Sequence, residues 1–236
     1  MLFRSGAFWL LLLPYWSLQD AKQVKVEGNR LLSTEQVRSF LSLSYPQVLW
    51  KLPSQQLSDR LKATDPIAEA QVTRQLFPPT LTVVVKERQP VASAGTAQGA
   101  GFLDAQGVWI SQRFYRQAAK DWQPPALQVL GFESAYRPYW QQMYPLLARS
   151  PVKISAVDWR NPQNLILKTQ LGTVHLGAYT PEFREKLARL SQMRQLPTRV
   201  PLSRLTYIDL TNPSAPTVSV KPDPKEKPTA TDVKKP

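Results

Sequence analysis

The side chains able to carry out chemistry are few in this 236-residue chain. It has no cysteine, which excludes a thiol nucleophile, a disulfide framework and a thiolate metal site. His175 is the single histidine, in the segment Thr173-Val174-His175-Leu176. A catalytic or metal-binding histidine needs partners, and no H-E-x-x-H, G-x-S-x-G or phosphate-loop pattern is present. His175 is therefore expected to be a satisfied structural residue. Asp104, Asp158 and Asp209 could in principle supply an acid pair, but each stands at a strand or turn position that suits ordinary hydrogen bonding. The 9 glycines form no phosphate cradle. The expectation is no catalytic residue, no metal, no cofactor and no small-molecule substrate.

What remains is a chain that folds and presents surfaces. Its 42% hydrophobic content suffices for one or two small domains, and 20% charged residues are too few for wholesale disorder. The net charge of +13 would attract polyanions in general. The cations are dispersed, however: Lys22, Lys25, Arg30, Arg38, Lys51, Arg60, Lys62, Arg74, Lys86 and Arg88 alternate with apolar and polar residues. A solvated basic surface is expected rather than a nucleic-acid arm.

The elements that position these residues begin behind an apolar run. Ala7 to Trp16 reads AFWLLLLPYW, with Arg4 in front. It is shorter than the roughly 20 residues of a spanning helix, and Pro14 interrupts it. No small-x-small cleavage site precedes Lys22, while Trp9, Tyr15 and Trp16 suit an aromatic interfacial belt. Residues 1–21 are expected to be an uncleaved membrane signal anchor. The N-terminus would be cytoplasmic and the bulk of the chain on the far side of the plasma membrane.

Gln23 to Glu27 alternates as a half-buried strand with Val24 and Val26 inward, and Gly28-Asn29 turns. Ser33 and Gln36 have capping-box spacing before Val37, Phe40 and Leu41. A second helix opens at Pro53-Ser54, carries Leu57 and Leu61 on one face, and closes at Asp65-Pro66. Ile67 to Leu76, with Ala70 and Val72 on one face, and the strand carrying Leu81, Val83 and Val85 flank the turn Phe77-Pro78-Pro79-Thr80 and pair antiparallel. The order is strand, helix, helix, strand, strand, an α+β sandwich.

This segment resembles a POTRA domain of the kind found in the FtsQ/DivIB division proteins. The resemblance rests on Val24-x-Val26-x-Gly28-Asn29, on Pro66-Ile67-x-x-Ala70-x-Val72-x-Arg74, on Pro78 and Leu81, and on Val83-x-Val85-x-Glu87-Arg88-x-Pro90-Val91-Ala92. It sets the POTRA domain at 22–92. Arg74, Glu87 and Arg88 are its surface candidates for binding, against simple surface pairing.

Beyond it, Gly95 to Gly101 reads as a loop, and Gly101 to Ile110 as a hairpin turning at Ala105-Gln106-Gly107. Leu127 to Gly131 suits a strand, and Tyr139, Met143, Leu146 and Leu147 a helix. Ile154 to Trp159, Leu165 to Thr169 and Gly172 to Gly177 form a meander, with Ile154, Ala156 and Asp158 inward in the first. Thr180 caps a helix with Pro181 at its first position and Phe183, Leu187, Leu190 and Arg194 on one face. Leu205 to Leu210 and Thr217 to Lys221 are the last strands. This order is similar to the FtsQ β domain, placed at 93–221: a mixed antiparallel β domain with two helices. Pro222 to Pro236 reads as a disordered tail.

The resemblance implies a non-enzymatic divisome scaffold at the division septum. Its closing strand would receive a partner of the FtsB/DivIC kind, with an FtsL-like protein involved, by strand addition to a sheet edge. Carried onto this chain, the binding residues are Thr217, Val218, Ser219 and Val220, with Tyr207 beside them. The alternative is a POTRA-containing outer-membrane assembly or secretion factor, which would need repeated POTRA units or a C-terminal barrel. A nucleic-acid binder rests on charge alone.

Overall fold

The computed structural model describes residues 16–96, 99–116 and 122–221. The apolar run before Trp16 and the tail after Lys221 lie outside the described residues, as do 97–98 of the expected loop. No helix among the described residues is long and apolar enough to cross a membrane.

The chain forms two compact units. The first takes in the described residues up to Ser93 together with those between Ala97 and Pro125. Its elements are β1 (Ser17–Leu18), β2 (Val24–Glu27), α1 (Thr34–Leu41), β3 (Gln47–Val48), α2 (Ser54–Lys62), β4 (Ile67–Gln75) and β5 (Thr80–Glu87). β5 is central, parallel to β2 and antiparallel to β4, with Val26 opposite Val83 and Val72 opposite Val83 on the other side. The strand–helix–helix–strand–strand order is the one expected. Alternation sets the inward face, and Val24, Val72, Leu81, Val83 and Val85 meet Val37, Leu41, Leu57 and Leu61 in one core. The capping box forms: Ser33 Oγ accepts the Gln36 N–H at 3.1 Å and Gln36 Oε1 accepts the Ser33 N–H at 2.8 Å.

The expected anchor boundary at residue 21 falls inside this unit. Ser17 and Leu18 form β1 against Val48 and Gln47 of β3, and Leu18 is wholly buried in the core. One apolar side chain that reads as the end of a membrane segment is thus a core residue of the folded unit.

The strand β6 (Ala92–Thr96) follows, then the hairpin of β7 (Gly99–Leu103) and β8 (Trp109–Ser111). β6 and the start of β7 replace the expected loop at 95–101. The hairpin belongs to the first unit, where Phe102, Ile110 and Tyr115 make a small core with Leu31, Phe114 and Trp122. Phe114 also stands edge-on to Phe40, with centroids 5.8 Å apart, and its carbonyl accepts Gln36 Nε2 at 3.1 Å.

The second unit holds β9 (Gln128–Leu130), α3 (Arg137–Ala148), β10 (Ile154–Asp158), β11 (Ile166–Thr169), β12 (Gly172–His175), α4 (Phe183–Gln192), β13 (Leu205–Asp209) and β14 (Thr217–Val220), with Ala94–Thr96 of β6. The strand order is β14-β13-β12-β11-β10-β9-β6. β9 and β10 are parallel across α3, and β12 and β13 are parallel across α4. The two helices are therefore the crossovers that parallel neighbours require. The meander β10-β11-β12 is antiparallel, as expected.

Three details differ from expectation. Ala156, Val157, Asp158 and Trp159 are all buried, so β10 is covered on both faces. In α3 the buried stripe is Trp140, Met143 and Leu147, while Tyr139 is exposed. The helix α4 opens at Phe183, whose N–H donates to the Thr180 carbonyl at 3.0 Å; Pro181 and Glu182 lie in a turn before it.

Candidate partner-binding edge and its supports

The possible reactive groups are each engaged locally. Asp104 accepts the N–H groups of Gln106 and Val108 at 2.9 and 2.8 Å and pairs with Arg88 Nη1 at 2.9 Å. Asp158 accepts Arg160 Nε at 2.9 Å and Nη2 at 2.6 Å, and this hydrogen-bonded guanidinium holds its carboxyl below the usual carboxylate range. Asp209 accepts the Thr211 N–H at 2.8 Å and is lowered mainly by that bond. His175 Nδ1 lies 2.8 Å from Asn164 Nδ2, and its ring meets Tyr207 edge-on at 4.9 Å. Among the described residues, no group of three or more His, Asp or Glu could hold a metal ion.

The three POTRA surface candidates are tied into the fold. Glu87, expected at the surface, is instead buried. Its Oε1 accepts the N–H groups of Arg30 and Leu32 at 2.8 and 3.0 Å, and Oε2 that of Leu31 at 2.8 Å. Arg88 is mostly covered and bonded to buried Asp104. Arg74 is exposed but spans two carbonyls, with Nη1 2.9 Å from both Trp50 O and Leu52 O. Tyr115, beside these groups, has its hydroxyl buried without a hydrogen bond among the described residues. Burial pushes its phenol well above the usual range, and the charges of Glu87 and Asp104 add to this.

An unpaired strand edge can accept another chain, so each sheet edge matters. In the three-stranded sheet of the first unit, a backbone group on each outer strand is occupied by a side chain. The Val72 N–H of β4 donates to Ser58 Oγ at 3.0 Å, and the Val24 carbonyl of β2 accepts Arg38 Nε and Nη2 at 3.0 and 2.8 Å. In the second unit, β14 is an outermost strand, paired only with β13 among the described residues.

The register tells which groups of β14 face outward. The Lys221 N–H donates to the Arg204 carbonyl at 2.8 Å. Strand alternation then turns Thr217 and Ser219 toward β13, and Val218 and Val220 away from it. The partner strand agrees: the Leu210 N–H donates to the His175 carbonyl at 2.8 Å, so Ile208 and Leu210 serve β12. Val218 lies opposite buried Ile208, with Val220 (44% exposed) beyond it. On the other face, Ser219 lies opposite Tyr207, which is 37% exposed. The five residues named from the sequence are thus brought together on β13 and β14.

One supporting residue was not legible in the sequence. Lys186 of α4 is buried and donates from Nζ to the Leu176 carbonyl at 2.7 Å, bracing the end of β12. Its position one residue before Leu187, on the apolar face, is the available signal.

An α+β module of two helices on a three-stranded sheet, followed by a mixed sheet with two crossover helices, defines a protein of the POTRA-bearing class. Residues 20–88 match the family described as "POTRA domain, FtsQ-type". Residues 94–211 match "Cell division protein FtsQ/DivIB, C-terminal", and the chain belongs to this family of cell-division proteins. Cell division protein FtsQ of Mycobacteroides abscessus is 27% identical over 209 residues, covering 88% of this chain and 64% of that protein. FtsQ of Mycobacterium tuberculosis is 25% identical over 217 residues, covering 88% and 63%. Cell division protein DivIB of Clostridium acetobutylicum is 27% identical over 103 residues, covering 44% and 40%. This chain thus spans somewhat under two thirds of the length of the FtsQ relatives. The major extracytoplasmic domain of DivIB from Geobacillus stearothermophilus aligns with 48% of the chain and 97% of that domain at 18% identity and a TM-score of 0.31.

Proposed function

We propose that this protein is a non-catalytic scaffold of the division machinery. It stands on the extracytoplasmic side of the plasma membrane at the septum and takes an extended partner segment onto β14. The observation carrying this reading is the open edge at Val218 and Val220, whose backbone groups point away from β13. An added strand gains main-chain hydrogen bonds there, while the side chains around Tyr207 and Val220 supply selectivity. The family resemblance makes the partner an FtsB/DivIC-like protein, with an FtsL-like protein involved, and gives the POTRA unit a separate docking role.

The test is capture of the FtsB/DivIC-type partner by the full chain in detergent. Val218→Pro removes an outward N–H that serves no bond to β13, so capture is lost while folding persists. Val218→Ala keeps the N–H and retains capture. Capture unchanged in Val218→Pro overturns the reading.

A further inference from the structure

Nine large apolar side chains are exposed among the described residues, and three of them gather at one end of the first unit: Trp50 (46%), Leu76 (41%) and Phe77 (64%). Contacts between neighbouring residues bring their segments together. Phe77 meets Trp16 edge-on, with centroids 4.5 Å apart. Ser17, next to Trp16, pairs with Val48 of β3, two residues before Trp50. Arg74, at the end of β4 just before Leu76, reaches back to the carbonyls of Trp50 and Leu52. Two cations rim the patch: Arg74, and Lys51, whose Nζ lies 5.2 Å from the Trp50 ring centre.

We infer that this Trp16–Trp50–Phe77 end of the first unit rests in the headgroup layer of an anionic bilayer. An indole ring against exposed Phe77, with exposed Trp50 and Leu76 on neighbouring segments and Lys and Arg at the rim, has the chemistry of a membrane interface. The aromatic bodies bury in the acyl boundary, and the cations meet lipid phosphates. The occupant follows from continuity: Trp16 ends the apolar sequence Ala7–Trp16 and also touches Phe77, so no linker separates that run from the patch. An isolated exposed Leu would mean little, but a joined group on one rim does. The inference uses no residue of β14, so it stands or falls separately from partner capture.

The absence of cysteine allows a direct test on the full chain. Phe77→Cys and Glu69→Cys each receive one spin label, and the chain is reconstituted at high dilution in phosphatidylcholine–phosphatidylglycerol vesicles. Both side chains are exposed, and they lie toward opposite ends of β4. The expected result is loss of relaxation by a water-soluble nickel complex at residue 77, gain of relaxation by oxygen there, and full nickel access at residue 69. Equal nickel access at both sites overturns the inference, as does a chain that fails to float with the vesicles. Protection at 77 that vanishes on further dilution of protein in lipid assigns the patch to a second copy and also overturns it. Unlabelled Phe77→Ser, which keeps every indole, provides a second reading: brominated lipids are expected to quench its fluorescence less than that of the unaltered chain, and equal quenching counts against the inference.

Discussion

Glu87 accepts three main-chain N–H groups from the turn before α1, 55 to 57 residues away in sequence. Removing a buried acceptor leaves donors unpaired, so Glu87→Ala is expected to cost about 3 kcal/mol of unfolding free energy and Glu87→Gln about half that. Urea unfolding of the two variants checks this. Gly28 closes the neighbouring turn with φ +84°, where a Cβ would overlap the Val85 carbonyl oxygen. At Asp158 and Asp209 the folded carboxyls titrate below the unfolded ones. Their contribution is therefore present above the unfolded carboxylate value of about 3.9 and is lost as pH falls through the folded values. The urea midpoint should drop as pH falls below about 4, and the double variant Asp158→Asn with Asp209→Asn should flatten that slope.

At the scale of elements, β14 tests whether direction along a strand matters. Proline at Val218 removes an outward donor, whereas proline at Ser219 removes one that faces β13. Ser219→Pro is expected to lower stability by about 2 kcal/mol, while Val218→Pro changes it by under about 1 kcal/mol. Urea melts of the two variants separate the outcomes, and equal losses would mean the alternation is misassigned. The helices α1 and α2 and the strand β4 illustrate another element-scale device. Arg38, Arg60 and Arg74 donate to carbonyls of Val24, Leu41, Trp50 and Leu52. Part of what reads as a solvated basic surface thus staples backbone, because a guanidinium offers several donors in a fixed fork.

For the whole molecule, a net charge of +13 would speed the approach of any acidic segment more than it would tighten the final complex. Capture of an acidic partner segment should slow about tenfold from low to physiological salt, with little change in dissociation rate. Stopped-flow association at several salt concentrations measures this, and salt-independent association would deny the charge any steering role.

The order of the POTRA unit was legible in the sequence because its signals are local. Val24 and Val26 alternate, Ser33 and Gln36 cap, and Leu57 and Leu61 repeat at helical spacing, so each element declares itself within a few residues. Other features depend on distant partners. Only folding buries Glu87, because the N–H groups it accepts come from another element, and only the strand order makes β14 an outer strand. Ala92–Thr96 and Gly99–Leu103 lack β-branched alternation and owe their strand state to neighbours. Leu18 carries the same apolar letter as the run before it, and tertiary packing alone places it in the core. Periodicity specifies what a segment can become, whereas burial, edge position and free hydrogen-bonding groups are properties of the assembled chain.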